Sequence, residues 1–175
     1  MYGKSLRLER LLHSRDEKVC MVPMDHGTTL GPIEGIRDYI STIDQVIEGG
    51  ADAVILHKGL LKEAIQHERL LKGKYLMHLS VSTILGSDPG TKVIVGSVEE
   101  GVQLGAEGIS MHVNLGCDTE GQMIKDLGKV SEECFKWGMP LLAMMYVQTC
   151  SKEWDDDKMI HAVRLAEELG ADMAK

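Results

Sequence analysis

The chain has 175 residues, of which 43% are hydrophobic and 26% charged, and a formal net charge of −8. This is ordinary globular composition. It excludes a disordered chain, a collagen-like repeat and a disulfide scaffold, and it leaves enough residues for one domain with a buried core. The acid excess argues against a nucleic-acid or anionic-membrane surface.

The chain order begins with a charged stretch at residues 1–15 that has no apolar signal-peptide core. An apolar run at 19–24 reads as the first strand, and a helical pattern follows at 33–48. A second strand spans 53–57, a short helix about 61–69, and a third strand 75–80. After a long loop marked by Gly86, Asp88, Pro89 and Gly90, Ser97-Val98-Glu99-Glu100 forms a capping box that opens a helix at 97–104. A fourth strand at 108–113 leads to a long helix at 119–137, a fifth strand at 141–146, a helix at 156–169 and a sixth strand at 172–175. The acidic run Asp155-Asp156-Asp157 suits the positive end of that last helix and has no EF-hand pattern. The apolar runs, such as 139–147, fall far short of the ~20 residues that cross a bilayer.

A weak internal repeat organises these elements. Gly50-Ala51-Asp52, Gly105-Ala106-Glu107 and Gly170-Ala171-Asp172 each precede an apolar run, and Gly138 marks a fourth joint of the same kind. Each reads as a helix end, a glycine in the left-handed region and the start of a buried strand. The strands are continuous apolar runs, as in a parallel sheet covered on both faces. Regular βα alternation leaves a doubly wound sheet or a (β/α)₈ barrel. The turn after the first strand, Asp25-His26-Gly27-Thr28-Thr29, has no GxGxxG pattern, and the chain has no GxxxxGK[ST] loop, so a TIM barrel is the expected fold.

Barrel chemistry sits where strands end and βα loops begin. The strand ends offer Asp25 and His26, His57 and Lys58, His78 with Ser80 and Ser82, His112 and Asn114, Tyr146 and Gln148, and Lys175. A lysine in an apolar barrel mouth can attack a carbonyl as the neutral amine and form a Schiff base, so Lys58 and Lys175 compete for that role. A carboxylate such as Asp25 and a hydroxyl such as Tyr146 could move the protons. No HExxH or other tight spacing supports a metal site, so the four strand-end histidines read as neutral, hydrogen-bonded groups of the mouth. Cys20, Cys117, Cys134 and Cys150 are widely spaced with no CxxC; they read as small buried hydrophobes of a reduced, cytoplasmic protein, Cys20 lying within the first strand. The 11 methionines read as adaptable core filler.

Val22-Pro23-Met24-Asp25-His26-Gly27, with Gly31-Pro32, resembles the archaeal-type class I aldolase superfamily. Val81-Ser82-Thr83-Ile84-Leu85-Gly86 with Asp88-Pro89, Ser110-Met111-His112-Val113-Asn114-Leu115-Gly116, and Trp137-Gly138-Met139-Pro140 through Tyr146 narrow the likeness to its 2-amino-3,7-dideoxy-D-threo-hept-6-ulosonate synthases. The resemblance covers residues 7–175. It implies a Schiff-base transaldolase on a (β/α)₈ barrel, without cofactor or metal. A three-carbon unit from the phosphosugar 6-deoxy-5-ketofructose 1-phosphate would pass to L-aspartate semialdehyde, toward 3-dehydroquinate and the aromatic amino acids. It further implies Lys175 as the Schiff-base lysine, Asp25 as proton acceptor and Tyr146 as proton donor. Substrate contacts would come from His26, Gly27, Thr28 and Thr29 and from Tyr146, Val147 and Gln148. Val147-Gln148 departs from the Pro-Arg that family members usually carry there. Lys58 then takes a secondary role.

Two other readings stand beside this one. The first is a class I fructose-bisphosphate aldolase, against which residues 81–85 favour the synthase. The second is a non-enzymatic barrel piece without turnover. A TIM barrel typically has ~250 residues, so six strands in 175 residues lead us to expect a barrel cut after its sixth strand. The phosphate grip would then lie beyond Lys175, the chain alone would have little activity, and the two uncovered sheet edges would favour a homo-oligomer.

Overall fold

The structure, a computed structural model, describes residues 2–12, 18–148 and 155–175. In chain order the elements are α1 (Tyr2–Leu12), β1 (Met21–Pro23), α2 (His26–Leu30), α3 (Tyr39–Glu48), β2 (Ala53–His57), α4 (Lys58–Ala64) and a 3₁₀ turn (Glu68–Lys72). There follow β3 (Tyr75–His78), β4 (Ser80–Val81), β5 (Val93–Ile94), α5 (Val98–Gln103), β6 (Gly108–Leu115), α6 (Glu120–Trp137), β7 (Leu141–Val147), α7 (Asp156–Glu168) and β8 (Met173–Ala174). Six strands form one parallel sheet in the order β1-β2-β3-β6-β7-β8, curled into a half-barrel, and β4 pairs with β5 as a separate antiparallel hairpin. This is the expected TIM-barrel architecture carried through six strands.

The Gly-Ala-Asp joints form as the sequence predicts. Gly50, Gly105, Gly138 and Gly170 all have positive φ. The amide of the next residue donates back to the carbonyl five residues earlier: Ala51 to Val46, Ala106 to Gly101, Met139 to Cys134 and Ala171 to Ala166. The aspartate then fastens the new strand to its neighbour. Asp52 Oδ2 accepts from the Cys20 amide and Asp172 Oδ2 from the Leu141 amide, each at 2.8 Å. Ser97 caps α5 by accepting from the Glu100 amide at 3.1 Å, and Asp155 caps α7 by accepting from Lys158.

Alternation along the strands divides the core in two. Val54, Leu56, Met77, Ile109, Met111, Ala143 and Met145 face the helices in one large apolar cluster. Ala53, Ile55, Leu76, Leu142 and Met144 face the inside of the curl, joined by Leu11 of α1. That helix is further tied to the sheet by Lys4 on Asp172 (2.8 Å), Arg7 on the Gly138 carbonyl (3.1 Å) and Arg10 on Glu107 (2.8 Å). No helix among the described residues is long and apolar enough to cross a membrane.

Several boundaries differ from the sequence reading. The helix expected at 33–48 starts at Tyr39, where Asp38 accepts from the Ser41 amide; the residues before it turn through Gly35 at φ +89°. The helix expected at 61–69 begins at Lys58 and gives way to the 3₁₀ turn. The third strand, expected to reach residue 80, leaves the sheet at His78 because Ser80–Val81 pairs instead with Val93–Ile94. Both α1 and α2 are additional. Cys20 is exposed and precedes β1, since its amide and carbonyl are both taken by Asp52; Cys117 is half-buried and only Cys134 is fully buried. Cys150 lies outside the described residues.

Candidate active site

One residue parity builds the site. In each strand of the sheet, the residues facing the inside of the curl run up to a polar group at the C-terminal end. Met21 and Pro23 lead to Asp25, Ala53 and Ile55 to His57, and Leu76 to His78. Ser110 leads to His112 and Asn114, Leu142 and Met144 to Tyr146, and Met173 to Lys175. Lys58 has the opposite parity; it points away and pairs with Glu100 of α5 at 3.2 Å. Of the two lysines that the sequence offers, Lys175 is the one whose side chain reaches the cavity at the strand ends. The backbone of Lys175 prolongs β8, with its amide donating to Ala143 (3.0 Å) and its carbonyl accepting from Met145 (2.9 Å).

Asp25, His26, Thr29, Tyr146 and Lys175 line one cavity of about 220 Å³, together with Pro23, Leu30, Met144, His112 and Lys92. The sequence-predicted Gly27, Thr28, Val147 and Gln148 do not line it. Gly27 and Thr28 lie in α2, and Val147 packs with outward parity against the helix-facing core. Gln148 donates its amide to the Leu115 carbonyl at 2.8 Å, and its side chain lies beside Gly90. Lys92 is a lining residue that the sequence reading missed, since it sits in an aperiodic loop with no motif around it.

Beneath the cavity lies a network of imidazoles. His78 is buried; its Nδ1 pairs with the Ser110 hydroxyl at 2.8 Å, and its Nε2 lies 3.3 Å from Ser80 Oγ and 3.4 Å from Asp25 Oδ2. Burial holds His78 well below the usual histidine pKa, prevailing over the pull of Asp25. The His78–Asp25 contact is therefore a neutral ring facing a carboxylate rather than an ion pair. A carboxylate only accepts, so Nε2 carries the hydrogen and Nδ1 accepts from Ser110. His57 donates from Nδ1 to the His78 carbonyl (3.1 Å), which leaves Nε2 to accept from the Thr28 hydroxyl (3.1 Å); burial lowers its pKa as well. His112 is pushed down to about 4, chiefly by burial and against the hydrogen bond to Asn114. Its ring stacks on Tyr146 with centroids 4.3 Å apart. Among the described residues, no three His, Cys, Asp or Glu side chains converge as a metal donor set.

A lysine amine, a carboxyl group and a phenol thus share a cavity at the C-terminal rim of a parallel barrel sheet. That arrangement can form an imine and shuttle protons across a neighbouring carbon–carbon bond. Residues 19–175 match the DeoC/LacD family of aldolases. A 2-amino-3,7-dideoxy-D-threo-hept-6-ulosonate synthase of Halobacterium salinarum is 41% identical over 174 residues, covering 99% of this chain and 64% of that protein. A 2-amino-4,5-dihydroxy-6-oxo-7-(phosphonooxy)heptanoate synthase of Streptomyces griseus is 38% identical over 178 residues, covering 99% and 64%. A Schiff-base-forming fructose-1,6-bisphosphate aldolase, solved with its reaction intermediates, superposes with a TM-score of 0.84 at 23% identity, over 98% of this chain and 69% of the other. The chain spans just under two thirds of the length of the curated relatives it matches. On the match across residues 19–175 and the identity to these synthases, the chain belongs to the DeoC/LacD family of aldolases.

Proposed function

We propose that this chain supplies the Schiff-base centre of a transaldolase that builds a seven-carbon 2-amino acid. The observation that carries the reading is the convergence of Lys175, Asp25 and Tyr146 on one cavity. The amine of Lys175 attacks a ketone carbonyl of the donor, and loss of water gives an iminium. Asp25 takes the proton of the hydroxyl next to the scissile bond, the carbon–carbon bond breaks, and its electron pair passes into the iminium to give an enamine. The aldehyde fragment departs. The enamine carbon then attacks the acceptor aldehyde, Tyr146 protonates the new alkoxide, the proton held by Asp25 returns to Tyr146 through solvent in the cavity, and water hydrolyses the iminium to free the product and Lys175. His78, backed by Ser110, fixes the orientation of Asp25.

The names of the relatives support a choice of substrates. The Halobacterium and Streptomyces enzymes are both named for seven-carbon 2-amino acids with a keto group at C6. Cutting either product between C4 and C5 gives a four-carbon 2-amino aldehyde acid, L-aspartate semialdehyde, and a three-carbon ketone. We take 6-deoxy-5-ketofructose 1-phosphate as the donor, whose transferred ketone ends in a methyl group. A second donor reading, dihydroxyacetone phosphate, is favoured by the phosphonooxy group at C7 in the Streptomyces name.

Borohydride reduction in the presence of each ketose phosphate, followed by peptide mass mapping, tests the reading. A three-carbon adduct on Lys175 from 6-deoxy-5-ketofructose 1-phosphate is expected, and Lys175→Met abolishes it. An adduct formed only with fructose 1,6-bisphosphate would replace the synthase by an ordinary aldolase. Undiminished labelling in Lys175→Met would refute the assigned lysine.

A further inference from the structure

Lys92 stands in the cavity and has no part in the steps above. It is carried there by the excursion between β4 and β5, which leaves the sheet after β3 and is fastened at several points. Asp88 Oδ1 accepts from the Gly90 and Thr91 amides at 3.0 and 3.3 Å. The Thr91 hydroxyl bonds that of Thr119 at 2.7 Å, and Asn114 donates to the Gly90 carbonyl at 2.5 Å. The loop is thus bound both to the end of β6 and to the start of α6.

The half-buried ammonium of Lys92 donates to Ser82 Oγ at 2.5 Å. An ammonium has three donors, and among the described residues no carboxylate lies within ion-pair distance of this one. Burial lowers its pKa, opposed only by the negative charge of Asp25. A half-desolvated cation with spare donors at a cavity wall gains from an oxyanion supplied by a ligand.

The position of Lys92 in the mouth bears on which part of the substrate that oxyanion belongs to. The loop is bound to the end of β6, and β7 stands between β6 and β8, so Lys92 and Lys175 reach the cavity from different sides of Tyr146. In TIM barrels, phosphate groups are frequently held by the loops after the seventh and eighth strands, on the far side of the sixth. In the donor taken above that phosphate leaves with the aldehyde and the transferred methyl ketone carries no anion, so the oxyanion left for a cation placed away from the phosphate loops is the carboxylate of the acceptor, which takes the departing aldehyde's place.

We infer that Lys92 binds the carboxylate of the acceptor aldehyde, the half of the reaction that never forms the iminium. The inference rests on the transaldolase reading above. A phosphate on the departing aldehyde has the same oxyanion chemistry, so the test separates the two.

The chain is loaded with hydroxyacetone, a donor without an anionic group, then exposed to L-aspartate semialdehyde, D-glyceraldehyde 3-phosphate or butanal. Borohydride and mass mapping then report two adducts on Lys175: the three-carbon donor alone, and the donor extended by the aldehyde. Lys92→Met is expected to keep the three-carbon adduct at the wild-type yield, which also certifies its fold. The concentration of L-aspartate semialdehyde needed for half-extension should rise about tenfold or more, while that of butanal stays unchanged. Lys92→Arg should restore most of the loss. Equal shifts for L-aspartate semialdehyde and butanal, or no shift, would overturn the inference. A shift confined to the phosphorylated aldehyde would also overturn it, moving Lys92 to the departing fragment. Loss of the three-carbon adduct in Lys92→Met alone would place Lys92 on the donor half, again against the proposal. Absence of that adduct in the wild type would overturn the transaldolase reading itself, and this one with it.

Discussion

Three imidazoles stand around one carboxylate, and burial keeps all of them neutral. This makes the site sensitive to acid. A ring whose folded pKa lies below the ordinary ~6.5 binds protons less readily folded than unfolded. The unfolded chain therefore takes up the extra protons as the pH falls. The stabilisation is complete above pH ~6.5 and is lost progressively down to about 4, the value for His112. Each such ring contributes at most ~1.4 kcal/mol per pH unit within that window. Chemical denaturation at pH 7, 6 and 5 should show falling midpoints, and His78→Asn should flatten the slope. Midpoints that hold steady from pH 7 to pH 5 would contradict the neutral rings. At this scale much of the site could be read in advance. Asp25, His57, His78, Tyr146 and Lys175 each end a strand, and alternation counted back along each strand puts them on one face. The same counting separates Lys58 from Lys175. Lys92 has no such register, because its position depends on the side chains of Asn114 and Thr119, which are remote in sequence.

Elements whose determinants are local were legible: the Gly-Ala-Asp joints, the Ser97 cap and the apolar strands. Those that depend on distant partners were not. α1 buries only Leu11 and is placed by Lys4, Arg7 and Arg10 on residues nearly a hundred positions or more away. The β4–β5 hairpin likewise rests on two residue pairs that no local pattern announces. Glycine context makes a sharper test at this scale. Gly116, just after β6, has φ +78°, and a Cβ there would come 2.7 Å from the Gln148 carbonyl oxygen. Gly128, inside α6, has open space around its Cβ position. Gly116→Ala should therefore destabilise the chain by about 1–3 kcal/mol, and it should loosen the pairing of β6 with β7 beside Tyr146. Gly128→Ala should stabilise by up to about 1 kcal/mol, because alanine suits a helix interior better than glycine. Urea denaturation of the two variants reads both signs. Destabilisation of Gly128→Ala to the extent of Gly116→Ala would refute the distinction.

At the scale of the sheet as a whole, β1 and β8 each have a single neighbour among the described residues. A sheet edge offers unpaired amides and carbonyls to other chains. Next to the β8 edge, α7 exposes Ile160 and Val163, at 66% and 49%, on the face turned away from the core. Paired with an open edge, such an apolar face favours association. We therefore expect the purified chain to elute above its 19.3 kDa monomer mass, with a concentration-dependent shift. Ile160→Glu with Val163→Glu should return it toward the monomer without affecting borohydride trapping at Lys175, because both side chains lie outside the cavity. Light scattering coupled to gel filtration measures the mass directly. A wild-type chain that stays at 19.3 kDa across concentrations would refute the predicted association. A double variant that remains associated would instead assign the contact to the strand edges.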